Sequence, residues 1–92
     1  MKMVMFYDVA PGALAQLKTH FPAHRARLEE FHARGVLLAA GPLGNPPERA
    51  MGIFTTREAA EEFIKGDPFV LNGVVGRHTL HDWNEVLFNS GK

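Results

Sequence analysis

The chain has 92 residues, in which ten Lys and Arg balance ten Asp and Glu, with five His and no cysteine. That length suits one small domain, and 46% hydrophobic with 22% charged residues excludes a disordered segment. Zero formal charge removes the footprint a phosphate backbone needs, and the lack of cysteine excludes disulfides, thiolate metal sites and a thiol nucleophile.

Lys2 to Val9 is rich in strand formers and free of breakers, which predicts a first strand ended by Pro11-Gly12. Its apolar stretch, Met3 to Tyr7, is too short for a signal peptide or a membrane span, so a cytoplasmic protein is expected. Leu14, Leu17 and Lys18 suggest a short helical turn. A helix is then predicted from Pro22 to Arg34, because proline at the first helical position loses no hydrogen bond. Arg25/Glu29 and Glu30/Arg34 stand at i,i+4, and Gly35 follows the cap. The inward stripe is His24, Leu28 and Phe31, with Arg25, Arg27, Glu29 and Glu30 facing out. Val36 to Ala40 reads as a second strand stopped by Gly41-Pro42, and Gly44-Asn45-Pro46-Pro47 as a loop. Met51 to Thr55 is a short third strand. Thr55-Thr56-Arg57-Glu58 carries a capping-box pattern and opens a second helix, whose buried face is Ala59, Ala60, Phe63 and Ile64. Gly66 closes it, Asp67-Pro68 starts a turn reaching about Asn72-Gly73, and Val74 to Trp83 forms the last strand.

The order βαββαβ is that of a ferredoxin-like α+β unit, an antiparallel sheet with both helices on one face. A sheet with one wet face should alternate apolar and polar residues. Here Met3, Met5 and Tyr7 oppose Val4 and Phe6, Val36 to Ala40 is apolar throughout, and Ile53 and Phe54 point to opposite sides. Two helices cover one face only. A second copy packed sheet to sheet is expected to cover the other, giving a homodimer.

Candidates for chemistry are few. Ser90, the one serine, stands near the chain end and offers no credible nucleophile. His24 is the side chain type best placed to move protons near neutral pH, and the inward stripe aims it at the sheet. A satisfied core histidine would show the same pattern. Asp67 is its natural partner, a carboxylate able to orient the imidazole. Asp before Pro is equally the signature of an N-cap with proline at the first helical position, and the sequence leaves the two readings level. Gly41-Pro42 is either a strand end or a place where backbone approaches a ligand beside His24. Tyr7, Phe69 and Trp83 are candidates to line an apolar pocket, though aromatic residues serve cores as well. No metal is expected, because Pro22 separates His20 from His24 and His78 and His81 point to opposite sides of a strand. No cofactor is expected, because Gly41-Pro42-Leu43-Gly44 precedes a proline loop rather than a helix. Met51 to Thr55 lacks the paired aromatics of an RNA-recognition strand, so the expected partners are a second copy and a small molecule, with no nucleic acid and no membrane.

Taken in order, Pro22-Ala23-His24-Arg25-Ala26-Arg27-Leu28, Gly35 through Pro42, Glu58-Ala59-Ala60 with Phe63, Asp67-Pro68-Phe69, Gly73 and Trp83 resemble the YciI-like (YCII-related) family across nearly the whole chain. The resemblance implies the dimeric α+β barrel superfamily; residues 1–88 are expected to form one domain, and Asn89 to Lys92 reads as a flexible tail. It implies a His–Asp dyad, which falls on His24 and Asp67 with Gly41-Pro42 nearby. Where some relatives carry arginine three residues before the histidine, this chain has Phe21. A few relatives are dehydrochlorinases of chlorinated hydroxyaromatic compounds, and the superfamily includes lactone isomerases and monooxygenases. The expectation is a small enzyme in which His24, oriented by Asp67, performs acid–base elimination or isomerisation on a small apolar or aromatic substrate. The alternative is a non-catalytic ligand-binding or assembly module whose His–Asp pair holds the fold. Access of His24 to a cavity separates the two.

Overall fold

Along the residues described by a computed structural model, 1–87, the elements run β1 (Lys2–Val9), α1 (Leu14–Ala33), β2 (Leu37–Leu43), β3 (Arg49–Phe54), α2 (Arg57–Gly66), α3 (Pro68–Leu71) and β4 (Val75–Trp83). The domain boundary expected at 88 and the tail expected at 89–92 lie outside the described residues. The strands form one four-stranded antiparallel sheet in the order β2-β3-β1-β4, the expected ferredoxin-like α+β arrangement with the helices on one side. No helix among the described residues is long and apolar enough to cross a membrane.

Several boundaries differ from the sequence reading. The short turn and the helix starting at Pro22 are one helix of 20 residues with Pro22 inside it. Proline there deprives the Lys18 carbonyl of its i+4 donor, which costs about 3 kcal/mol in an unsupported helix. Lys18 and Pro22 are both exposed, so the gap lies on the outer part of the helix, and burial of His24 and Phe31 holds the helix further on. Gly35 closes it at φ +79°. The Gly35 N–H donates to the His32 carbonyl and the Val36 N–H to that of Phe31, a pair of bonds that needs the left-handed conformation glycine takes without strain.

β2 does not stop at Gly41-Pro42 but runs through it to Leu43. It is an edge strand, where a missing N–H can face solvent. The cap of α2 is Thr56, whose hydroxyl accepts from the Ala59 N–H, one residue later than the box pattern suggested. Arg34 pairs not with Glu30 but with Glu62, through two bonds of 3.0 Å. Arg27, expected to face out, reaches across to donate to the carbonyls of Glu62 and Phe63.

Register sorts the two faces of the sheet. Met3, Met5 and Tyr7 pair with Phe54, Gly52 and Ala50 on the helix side. Phe31, Ala60, Phe63 and Ile64 close the core over them. The remote face carries Val4 and Phe6 opposite Ile53 and Met51, and Trp83 opposite Lys2. On that face the Arg49 guanidinium lies 4.7 Å from the Phe6 ring and His81 meets the ring edge-on at 5.8 Å.

Candidate active site

Asp67 has no solvent exposure, and donors from three separate segments converge on it. It is the C-cap of α2 and the N-cap of α3, with Pro68 opening the latter. Its Oδ1 accepts from the Phe69 N–H at 3.1 Å and lies 2.7 Å from Nδ1 of His24. The Tyr7 hydroxyl donates to Oδ2 at 2.7 Å. Cap and histidine partner, level alternatives in the sequence, are thus a single arrangement. Three donors around one carboxyl group are satisfied by a carboxylate, which only accepts. Against a carboxylate Nδ1 of His24 is the donor, and in the neutral imidazole the lone pair then lies on Nε2.

The imidazole is fixed in plane as well as in rotation. Phe69 stacks on it with centroids 3.9 Å apart and planes 12° from parallel, and Phe63 meets it edge-on at 6.1 Å. Phe21, half-exposed, lies with its centroid 6.4 Å away. Burial, and then the neighbouring charge of Asp67, hold the Tyr7 phenol neutral well above the ordinary tyrosine range.

His24 opens onto a cavity of about 480 Å³ between α1 and the sheet, within the range usual for small-molecule sites. Tyr7, Phe69, Gly41 and Pro42 line it too. A Cβ added at Gly41 would meet nothing within 4 Å, so Gly41 contributes backbone rather than a close approach that only glycine allows. Trp83 is not part of this cavity: its register with Lys2 puts it on the remote face of the sheet, 38% exposed. His20 and His24 do share one helix at i,i+4, contrary to the reading of Pro22 as a start, but Nδ1 of His24 is engaged by Asp67. Among the described residues, no group of three or more His, Cys, Asp or Glu could hold a metal.

Sequence reasoning missed Leu17, Lys18, Phe21 and Leu28 as cavity residues. A signal existed, since Leu17, Phe21, His24 and Leu28 recur at helical spacing, and it vanishes only if the helix is begun at Pro22. It also missed Tyr7 as the second support of Asp67, for which no sequence pattern speaks.

The chain matches the YCII-related domain family over residues 1–84. It is 34% identical to Protein YciI of Escherichia coli O6:H1, over 72% of this chain and 79% of that one. Its fold is similar to that of the 5-chloro-2-hydroxyhydroquinone dehydrochlorinase of Burkholderia phenoliruptrix AC1100, solved with 2,5-dihydroxybenzoquinone (TM-score 0.77, 20% identity, 91% of this chain and 94% of that one). It is also similar to a MhuD variant with two manganese protoporphyrin IX molecules in each active site (TM-score 0.53, 18% identity, 98% of each chain). At these identities the structural likeness concerns the fold.

Proposed function

The chain belongs to the YCII-related family, and from that premise we propose that it is a small-molecule enzyme with His24 and Asp67 as its acid–base dyad. Nε2 of His24 takes a proton from the substrate, and Asp67 stabilises the imidazolium that results. In an elimination, the electron pair left by that proton forms a new π bond while the leaving group departs with its own pair. In an isomerisation, the imidazolium returns the proton to another atom. Positioned acid–base catalysis contributes about 10²–10⁴-fold, which suits a substrate already activated, such as a hydroxylated ring. Tyr7, Phe69, Gly41 and Pro42 form the walls.

The observation that carries this reading is that His24, with one nitrogen engaged by a buried carboxylate, lines an apolar cavity of small-molecule size. A pair serving only the fold has no use for that access. The dehydrochlorinase of similar fold supports chlorinated or hydroxylated monocyclic compounds as the first substrates to try. The test offers such compounds to the wild type and to His24→Gln, following chloride release and uptake of solvent deuterium by NMR. Turnover in the wild type and its loss in His24→Gln is expected. Equal turnover in both, or compounds that bind at the cavity without reacting, would sink the catalytic role.

We propose further that two copies pack sheet to sheet. The helices close only one side of the sheet, and the other side leaves Phe6, Met51, Ile53 and Trp83 partly exposed. Trp83 belongs in this reading to the subunit interface and not to the substrate site.

A further inference from the structure

The charged residues lining the cavity are Lys18, Arg25 and Arg49, beside His24, and no carboxylate lines it. Asp67 is sealed behind His24 and Tyr7 and has no exposure. In a chain of zero net charge this is a local imbalance, and its members are not equivalent. The Arg49 side chain is turned to Asp8 at 2.8 Å and to the ring of Phe6, both on the remote face. Arg25 is paired with Glu29 at 2.9 Å. The Lys18 side chain alone of the three has no ion pair or hydrogen bond among the described residues. It sits on α1 in a row with Phe21, Pro22 and Arg25 at i, i+3, i+4 and i+7, and all four line the cavity. It stands six positions before His24, about 9 Å along the helix axis and about 120° around it, and both side chains line the same cavity.

We propose that the cavity selects small apolar molecules bearing one anionic oxygen group, a carboxylate, phenolate or enolate, and that Lys18 is the residue that holds this group. The proposal rests on the functional reading above and deepens it by naming the charge of the substrate. An ammonium on the wall of an apolar cavity attracts anions and is weakly opposed there, since no carboxylate lines the cavity and Asp67 behind it is engaged by three donors. It also meets a need of the chemistry. When Nε2 takes a proton, the negative charge stays on the substrate, and a cation at the far end of the ring stabilises it.

Benzoate and benzamide, which have nearly the same shape and differ in charge, are the probes. Titrations followed by NMR on the resonances of Phe69, Tyr7 and His24 should give benzoate about tenfold tighter binding than benzamide in the wild type. Added salt should weaken benzoate and leave benzamide unchanged. Lys18→Gln should bring benzoate down to the level of benzamide without altering the latter. Equal binding of the two in the wild type, a preference that survives Lys18→Gln, or parallel weakening of both probes would overturn the role of Lys18 while leaving the dyad standing. Failure of both probes to perturb the cavity resonances would overturn the small-molecule site itself, and this proposal with it.

Discussion

Tyr7, on an inner strand of the sheet, and Asp67, at the junction of α2 and α3, share a 2.7 Å hydrogen bond that ties the sheet layer to the helix layer beneath the cavity. Burial and the charge of Asp67 keep the Tyr7 phenol neutral in the fold, whereas in the unfolded chain it ionises near its ordinary value of 10.0. Its folded value is raised, so the stability it contributes is fully present below about pH 10 and declines above it, as the unfolded state releases the proton first. Tyr7 is the one tyrosine, so phenolate absorbance reports on it alone. In an alkaline titration that absorbance should rise together with the loss of circular dichroism and not before it. Tyr7→Phe should cost about 1–3 kcal/mol at neutral pH and flatten the alkaline decline.

Asp67 distinguishes two substitutions. Asp67→Ala strips three donors of their acceptor at once, and the expected loss is about 3–5 kcal/mol in urea denaturation. Asp67→Asn keeps an acceptor for His24 and the Phe69 N–H and turns its amide toward the Tyr7 hydroxyl, which can accept, so the loss is about 1–3 kcal/mol. Nitrogen NMR shifts should show neutral His24 with its proton on Nδ1 in the wild type and in Asp67→Asn, and as a mixture of tautomers in Asp67→Ala. An unchanged tautomer in Asp67→Ala would leave Asp67 as a helix cap with no hold on the imidazole.

The strands, the amphipathic α2 and the βαββαβ order were legible because each rests on local periodicity or on a breaker that behaves locally. Pro22 and Gly41-Pro42 misled for the converse reason. Each is a breaker by local rules, and each is overridden by its setting: an exposed helix stretch anchored by the buried His24 and Phe31, and an edge strand with one side free. Trp83 misled because alternation assigns a residue to one of two faces without saying which face the helices cover. For Asp67, local grammar shows the cap plainly, but the bonds to Tyr7 and His24 span 60 and 43 residues and leave no mark in either neighbourhood.

Assembly is tested at Phe6, which faces away from the helices and is only partly buried in the protomer. Val4, on the same face, is 6% exposed already, so a charge there would damage the protomer as well as an interface. Sedimentation of the wild type should give about twice 10.2 kDa. Phe6→Asp places an unpaired carboxylate against the partner sheet, at a cost of several kcal/mol, and should yield protomers that keep their helical dichroism. A wild type that sediments as a stable 10.2 kDa species at micromolar concentration would end the dimer proposal.

His24→Ala separates a catalytic histidine from a structural one. Asp67 loses one of its three donors in this variant and keeps two, the Tyr7 hydroxyl and the Phe69 N–H. The space vacated by the imidazole joins a cavity, so water can enter and donate in its place. Removal also ends the stacking of Phe69 on the imidazole, a contact that a small apolar ligand could replace. The expected result is a melting curve close to wild type, within about 1 kcal/mol, with turnover of the monocyclic substrates abolished. A histidine whose task is the fold gives the opposite pattern. Its loss would leave a buried carboxylate short of a partner and lower stability by about 3–5 kcal/mol, whatever happens to ligands. Denaturation and turnover measured on the same preparation tell the two apart, and a large loss of stability would move His24 from the chemistry to the core.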